Sequence, residues 1–229
     1  MAPVEFEGVV MQLVEDGCSL VRVDDIVARW RAGTPLPARA VALTFDDAYE
    51  SVHCVALPLL ASFGVPATVF PVTSQLGGHN EWDAGRGSRT LELMGEAQLR
   101  ELVAAGWEVG GHGHTHRSLP GLTPAEVLEE VVTSNAVLEQ ACGLAPRTFA
   151  YPYGNHDPAT RALVASHYDA CLTIGASRAT AADPLDRLPR VEAWYLRRPW
   201  QVRAIHGPAA GLYLLARRGL RAAGRATRR

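Results

Sequence analysis

An apolar run that stops at two adjacent carboxylates, Ala40-Val41-Ala42-Leu43-Thr44-Phe45-Asp46-Asp47, limits what this chain can become. A short continuous apolar segment of this kind is expected to form a buried parallel strand. In α/β folds, ligands gather beyond the carboxyl ends of such strands. Two acids held there against apolar surroundings are costly unless a cation neutralises them. The segment Gly111-His112-Gly113-His114-Thr115-His116 offers the complement. One carboxylate with two imidazoles makes a divalent-metal site, and the second carboxylate is left for proton transfer.

The rest of the chain alternates. Helical spacing is expected over 4–16, 24–31, 50–63, 95–105, 124–142 and 158–166, and short strands at 67–70, 107–110, 148–151 and 170–174. Thr123-Pro124-Ala125-Glu126 reads as a helix start, with Thr as cap, Pro first in the helix and Glu three residues on. Strand and helix in alternation call for a parallel sheet, open or closed into a barrel. The 229 residues suit one domain, with the motifs between about 35 and 192. Residues 73–90 have no period, and a loop of that length inside a domain is functional or disordered. It carries Trp82 and Asp83 and is placed to cover the site, with Trp82 expected either to stack on a substrate or to anchor the loop.

Charge and cysteine usage narrow the classes. With 22 basic and 24 acidic residues the net charge is −2, and nothing points to nucleic acid. Every basic residue is Arg, a composition bias of the source. Cys18, Cys54, Cys142 and Cys171 are scattered and read as free thiols in a reducing compartment. The N-terminal stretch carries acids where a secretion signal needs basic residues, and no run reaches the roughly 18 apolar residues of a membrane span. A cytoplasmic location is therefore expected. The Arg-rich tail from Ala209 reads as a frayed basic helix, with a membrane-surface helix as the alternative.

Three candidate stretches follow strands: Asp46-Asp47, His112 to His116, and Tyr151-Pro152-Tyr153-Gly154. In a parallel fold those ends share one face. His112 and His116 are four apart, which on a helical turn puts both imidazoles on one side, about 5–6 Å apart at Cβ. His114 would point elsewhere. Gly110, Gly111 and Gly113 let the backbone bend around the site.

These residues resemble the polysaccharide deacetylases of the NodB-homology type. The matches are Thr44-Phe45-Asp46-Asp47, Glu108-Val109-Gly110-Gly111-His112 with His116, and Phe149-Ala150-Tyr151-Pro152-Tyr153-Gly154, with Pro66 to Phe70 and Leu188-Pro189-Arg190 as lesser ones. The resemblance implies a distorted (β/α) barrel and a metal-dependent N-deacetylase. It implies that Asp47, His112 and His116 bind the metal, that Asp46 is the general base, and that the Tyr153 backbone N–H stabilises the oxyanion. Mixed nitrogen and oxygen ligation with open positions suits Zn²⁺, with Co²⁺, Ni²⁺ or Fe²⁺ as alternatives.

Three positions depart from the family pattern. Ala48 stands where the family usually has Gly, and a φ above zero there would strain it. Ala150 stands where an Arg commonly orients the base, so Arg190 is nominated as the partner of Asp46. His206 is the one late candidate for the family's general acid. The expected substrate is an N-acetylated saccharide or glycoconjugate: a lipid-linked or nucleotide-linked precursor, or a glycosylated metabolite. The competing readings are a metal amidohydrolase acting on a ureide or imide, a sugar-binding homologue without catalysis, and a 2-His-1-carboxylate iron oxygenase.

Overall fold

The computed structural model describes residues 1–84, 89–175, 177–193, 196–206, 210–211 and 213–215. Helix α1 (Pro3–Glu15) buries Val9, Val10 and Leu13. The two-residue strand β1 (Ser19–Leu20), too short to show a period, leads into α2 (Val23–Arg31). Acids in the first turn of α2 and arginines in the last suit its dipole.

The apolar run at 40–47 is not the single buried strand expected of it. It divides into β2 (Ala40–Val41), which pairs with β1, and β3 (Thr44–Asp47), which pairs with β4 (Thr68–Pro71). The two halves serve different neighbours, and their residues are only partly buried. The helix expected over 50–63 is also interrupted. A π-helical turn at Val52–Ala56 precedes α3 (Leu57–Ser62), because Pro58 has no N–H to give the preceding turn.

The remaining elements follow in βα order: α4 (Glu96–Ala104), β5 (Glu108–Val109), α5 (Pro124–Cys142), β6 (Thr148–Ala150), α6 (Pro158–Ala165) and β7 (Ala170–Leu172). Thr123 caps α5 by accepting from the Glu126 N–H, and Gly143 ends it at φ +73°. Asp157 caps α6 in the same way. Strands β3, β4 and β5 are parallel neighbours, as are β6 and β7. Parallel bridges from Gly111 to Phe149 and from Leu172 to Leu188 join β5 to β6 and β7 to residues 188–191.

The result is a distorted (β/α) barrel. Between residues 188–191 and β3 no backbone ladder is present among the described residues, and the Arg190 side chain crosses the gap to Thr44 and Asp46. Helix α2 closes the end at which the strands enter. The Val23 N–H donates to Thr68 Oγ1 at 3.1 Å and the Asp24 N–H to Glu108 Oε2 at 2.9 Å.

The stretch after β4 is ordered by pairing. Asn80 and Leu93 N–H groups donate to Leu91 and Gly78 carbonyls, and Met94 and Glu50 N–H groups tie the returning limb to residues 48–50. Helix α7 (Pro199–His206) packs Val202 and Ile205 against Val9 and Leu13 of α1. The tail beyond residue 215 lies outside the described residues. No helix among those described is long and apolar enough to cross a membrane.

Candidate metal centre

Asp46 and Asp47 end β3 on opposite sides of the strand. Asp46 shares the barrel interior with Thr44, while Asp47, at φ +68°, swings towards the histidines. Asp47 Oδ1 lies 3.4 Å from His112 Nε2 and 3.3 Å from His116 Nε2.

The histidines do not sit on a helical turn, as their spacing suggested. Residues 112–116 form an irregular bend, with Gly113 at φ +80° and His116 at φ +60°. Left-handed backbone at two points brings the rings together, with centroids 5.0 Å apart. His114 turns away, its Nδ1 lying 2.9 Å from Thr73 Oγ1. Gly110 is required beneath them, since a Cβ there would stand 2.4 Å from the Phe70 ring.

Each ligand is held differently. His112 is buried, and its Nδ1–H donates to the Ala150 carbonyl at 2.6 Å. That bond leaves the Nε2 lone pair facing Asp47. His116 lies between the rings of Trp82 and Tyr153, each 4.6 Å away by centroid. Burial, then the charge of His112, pushes its imidazole down to about 4, so it is neutral near pH 7. Burial and the Asp47 carboxylate push the Tyr49 phenol up, leaving it protonated and able to donate to that carboxylate.

The donor set fits a divalent ion. Ligand atoms from Asp47, His112 and His116 all lie within 4.8 Å of one another. A tetrahedral ion with bonds of about 2.0–2.2 Å holds its ligands about 3.3–3.6 Å apart, a range that includes the spacing from Asp47 to each imidazole. Asp47 Oδ1 and His116 Nδ1 are buried without hydrogen-bond partners. A buried carboxylate oxygen facing two imidazole nitrogens is the environment a cation relieves.

Asp46 points to the other side of this triangle. Arg190 grips it bidentately, Nη1 to Oδ1 at 2.7 Å and Nη2 to Oδ2 at 2.8 Å, and also reaches Thr44 Oγ1 at 3.3 Å. Burial is the largest single influence on Asp46 and opposes its ionisation, but the Arg190 charge, His112, the Arg190 hydrogen bonds and His116 together outweigh it. The carboxyl is held at about 2. Ala150, at the position of the family's usual Arg, is fully buried, and the guanidinium that meets Asp46 comes from Arg190 across the barrel. Ala48 is also fully buried, at φ +58°.

Tyr153 sits beside His116 by its ring, and its backbone is at φ +59°. His206 ends α7, and its side chain lies outside the described residues. Tyr49 and Glu130 belong to the surroundings of the centre, and the sequence did not single them out. Tyr49 could have been found by its strand-like spacing from Asp47. Glu130 carries no local signal, because its contacts lie 15 and 16 residues away.

Comparisons with known proteins point to one family. A family model described as Polysaccharide deacetylase matches residues 33–168. The poly-beta-1,6-N-acetyl-D-glucosamine N-deacetylase of Staphylococcus aureus (strain MRSA252) is 28% identical over 127 residues, covering 52% of this chain and 41% of that protein. The Escherichia coli (strain K12) protein of the same name is 27% identical over 212 residues, covering 78% of this chain and 31% of its own length. The chain thus spans less than half the length of these curated relatives. Among solved structures, IcaB from Ammonifex degensii aligns with a TM-score of 0.73 at 25% identity, covering 89% of this chain and 90% of that one. The Streptococcus pyogenes deacetylase PplD in complex with acetate shares the fold, with a TM-score of 0.72 at 22% identity over 82% of this chain and 80% of its own.

Proposed function

The chain belongs to the polysaccharide deacetylase family, and on that premise we propose that it hydrolyses the acetamide of an N-acetylated amino sugar, releasing acetate and leaving a free amine. The observation that carries this reading is the Asp47–His112–His116 triangle, with edges of 3.4 and 3.3 Å at Asp47, set beside a carboxylate held ionised by Arg190.

Asp47, His112 and His116 would hold the ion, for which the mixed nitrogen and oxygen set suits Zn²⁺. A bound divalent ion would supply Lewis acidity, lowering the pKa of a water and polarising the acetamide carbonyl. Asp46 takes a proton from the attacking water. Its two oxygens each accept one bond from Arg190, and a carboxylate has about four lone-pair sites, so acceptor capacity remains. Arg190 orients that carboxylate and keeps it charged. The Tyr153 backbone N–H stabilises the charge that develops on the acetamide oxygen. Trp82 and Tyr153, on either side of His116, form an aromatic rim able to stack on a sugar face.

A polymer of N-acetylglucosamine comes first among substrates, because the curated relatives are named for one. A lipid-linked or nucleotide-linked N-acetylated saccharide, or a glycosylated metabolite, comes next. The test is a screen of metal-loaded protein against β-1,6- and β-1,4-linked N-acetylglucosamine oligomers and nucleotide-linked N-acetylglucosamine. Acetate and free amine are measured together, with Asp46→Asn run alongside. The variant is expected to keep its metal and lose about 10²–10⁴-fold in turnover, the usual contribution of a general base. Hydrolysis of a ureide or imide by protein inert to every sugar would overturn the assignment.

A further inference from the structure

Glu130 is a buried carboxylate on α5, 4% exposed, and its acceptors are aimed at one short stretch of backbone. Its Oε2 accepts the N–H groups of His114 and Thr115, each at 2.8 Å, and its Oε1 accepts the Thr115 hydroxyl. The approach is close enough to demand glycine next door. Gly113 has φ +80°, and a Cβ there would stand 2.9 Å from Glu130 Oε2. The opposite side of the same stretch is tied to the chain after β4, where the Ser74 N–H donates to the His114 carbonyl at 2.8 Å. Residues 113–115 are thus clamped between α5 and the end of β4.

The clamp matters unequally to the two imidazoles. His112 has its own tether, the Nδ1–H bond to the Ala150 carbonyl. His116 has no hydrogen-bond partner at Nδ1 and sits at φ +60°. Its position follows from the backbone just before it and from the rings of Trp82 and Tyr153. We infer that Glu130 is a positioning residue that sets metal affinity by fixing the backbone from which His116 reaches Asp47. This rests on the reading of Asp47, His112 and His116 as a metal centre. A hydrophobic residue at position 130 would suit burial in α5 at least as well, so the carboxylate is accounted for by the loop it serves.

The test uses the full chain, stripped of metal and titrated with Co²⁺, whose visible absorption reports both affinity and coordination geometry. Glu130→Ala should weaken Co²⁺ binding by about 10–100-fold and alter the band shape, as expected for loss of a group that orients a ligand. Glu130→Gln, which keeps one acceptor oxygen, should lose less. Thr123→Ala is the control. It removes the cap of the same helix without touching the loop, so it should lower thermal stability and leave Co²⁺ affinity within twofold. Wild-type affinity in Glu130→Ala, or an equal loss in Thr123→Ala, overturns the inference. Should Glu130→Ala not fold, Glu130→Gln and Thr115→Val carry the same comparison, and wild-type affinity in both has the same consequence. A different result would fall on the metal centre itself: no Co²⁺ bound by wild type, or Co²⁺ retained by His112→Ala.

Discussion

The two ends of the barrel each hold carboxylate oxygens away from water, and they treat them in opposite ways. At the entering end Glu108, 6% exposed, is surrounded by donors. Its Oε2 accepts the Asp24 N–H at 2.9 Å and the Thr68 hydroxyl at 2.8 Å, and its Oε1 accepts the Thr148 hydroxyl. At the leaving end Asp47 Oδ1 has no hydrogen-bond partner and faces two imidazoles. Neutral donors satisfy the first; only a cation completes the second. Backbone strain divides the same way. Of the five non-glycine residues at positive φ among the described residues, Asp47, Ala48, His116 and Tyr153 lie at the leaving end, and Arg39 is the fifth. Such conformations cost about 1–3 kcal/mol each and gather where a site is held in a shape the chain would not choose alone. One end is built for stability and the other for chemistry.

Exchanging the two carboxylates for alanine is the sharpest way to break this contrast. Asp47→Ala should abolish metal binding, a loss well beyond the roughly 10–100-fold typical of outer-shell changes, while the melting temperature of the metal-free protein changes little. Metal affinity close to wild type, measured by competition with a chromophoric chelator, would erase the distinction. Glu108→Ala should do the reverse. It strands the Asp24 N–H and two threonine hydroxyls in the interior, at about 1–3 kcal/mol for each unsatisfied group. Denaturant unfolding should show a loss of about 3 kcal/mol or more, with the metal affinity of the folded protein unchanged.

Arg190→Ala tests the pair that lies between these extremes. With the guanidinium present the Asp46 carboxyl sits at about 2, so the base is ionised at any ordinary assay pH. Without it, burial acts unopposed by its strongest counterweight and the carboxyl rises. Because the base works only when deprotonated, the acid limb of kcat/KM should move to higher pH, with turnover reduced about tenfold or more at neutral pH. An acid limb that stays in place would show that Arg190 does not tune Asp46.

Much of this was legible in the sequence, because caps and strand-end motifs are local. Thr123 and Asp157 cap the helices their spacing announces, and Asp46-Asp47 ends a strand as an apolar run should. Long-range pairing was harder to read. Nothing in Ala40 to Asp47 shows that its first half belongs to β1 and its second to β4. The histidine spacing suggested a helical turn, yet Gly113 and His116 reach the same convergence through left-handed backbone. Arg190, nominated from the late Leu-Pro-Arg motif, lies 144 residues from Asp46, and its guanidinium stands 2.7 and 2.8 Å from the two carboxylate oxygens. Glu130 became visible only through contacts that no local pattern encodes, whereas Tyr49 stands two residues past Asp47 and could have been read from that spacing.

The most direct measurement is anomalous diffraction from crystals of the zinc-loaded chain at the zinc absorption edge. The account predicts one strong peak about 2.0–2.2 Å from Asp47 Oδ1 and from Nε2 of both His112 and His116, with Asp46 beside it and still paired to Arg190. A strong peak held by other residues, with this triangle left without an ion, would contradict it.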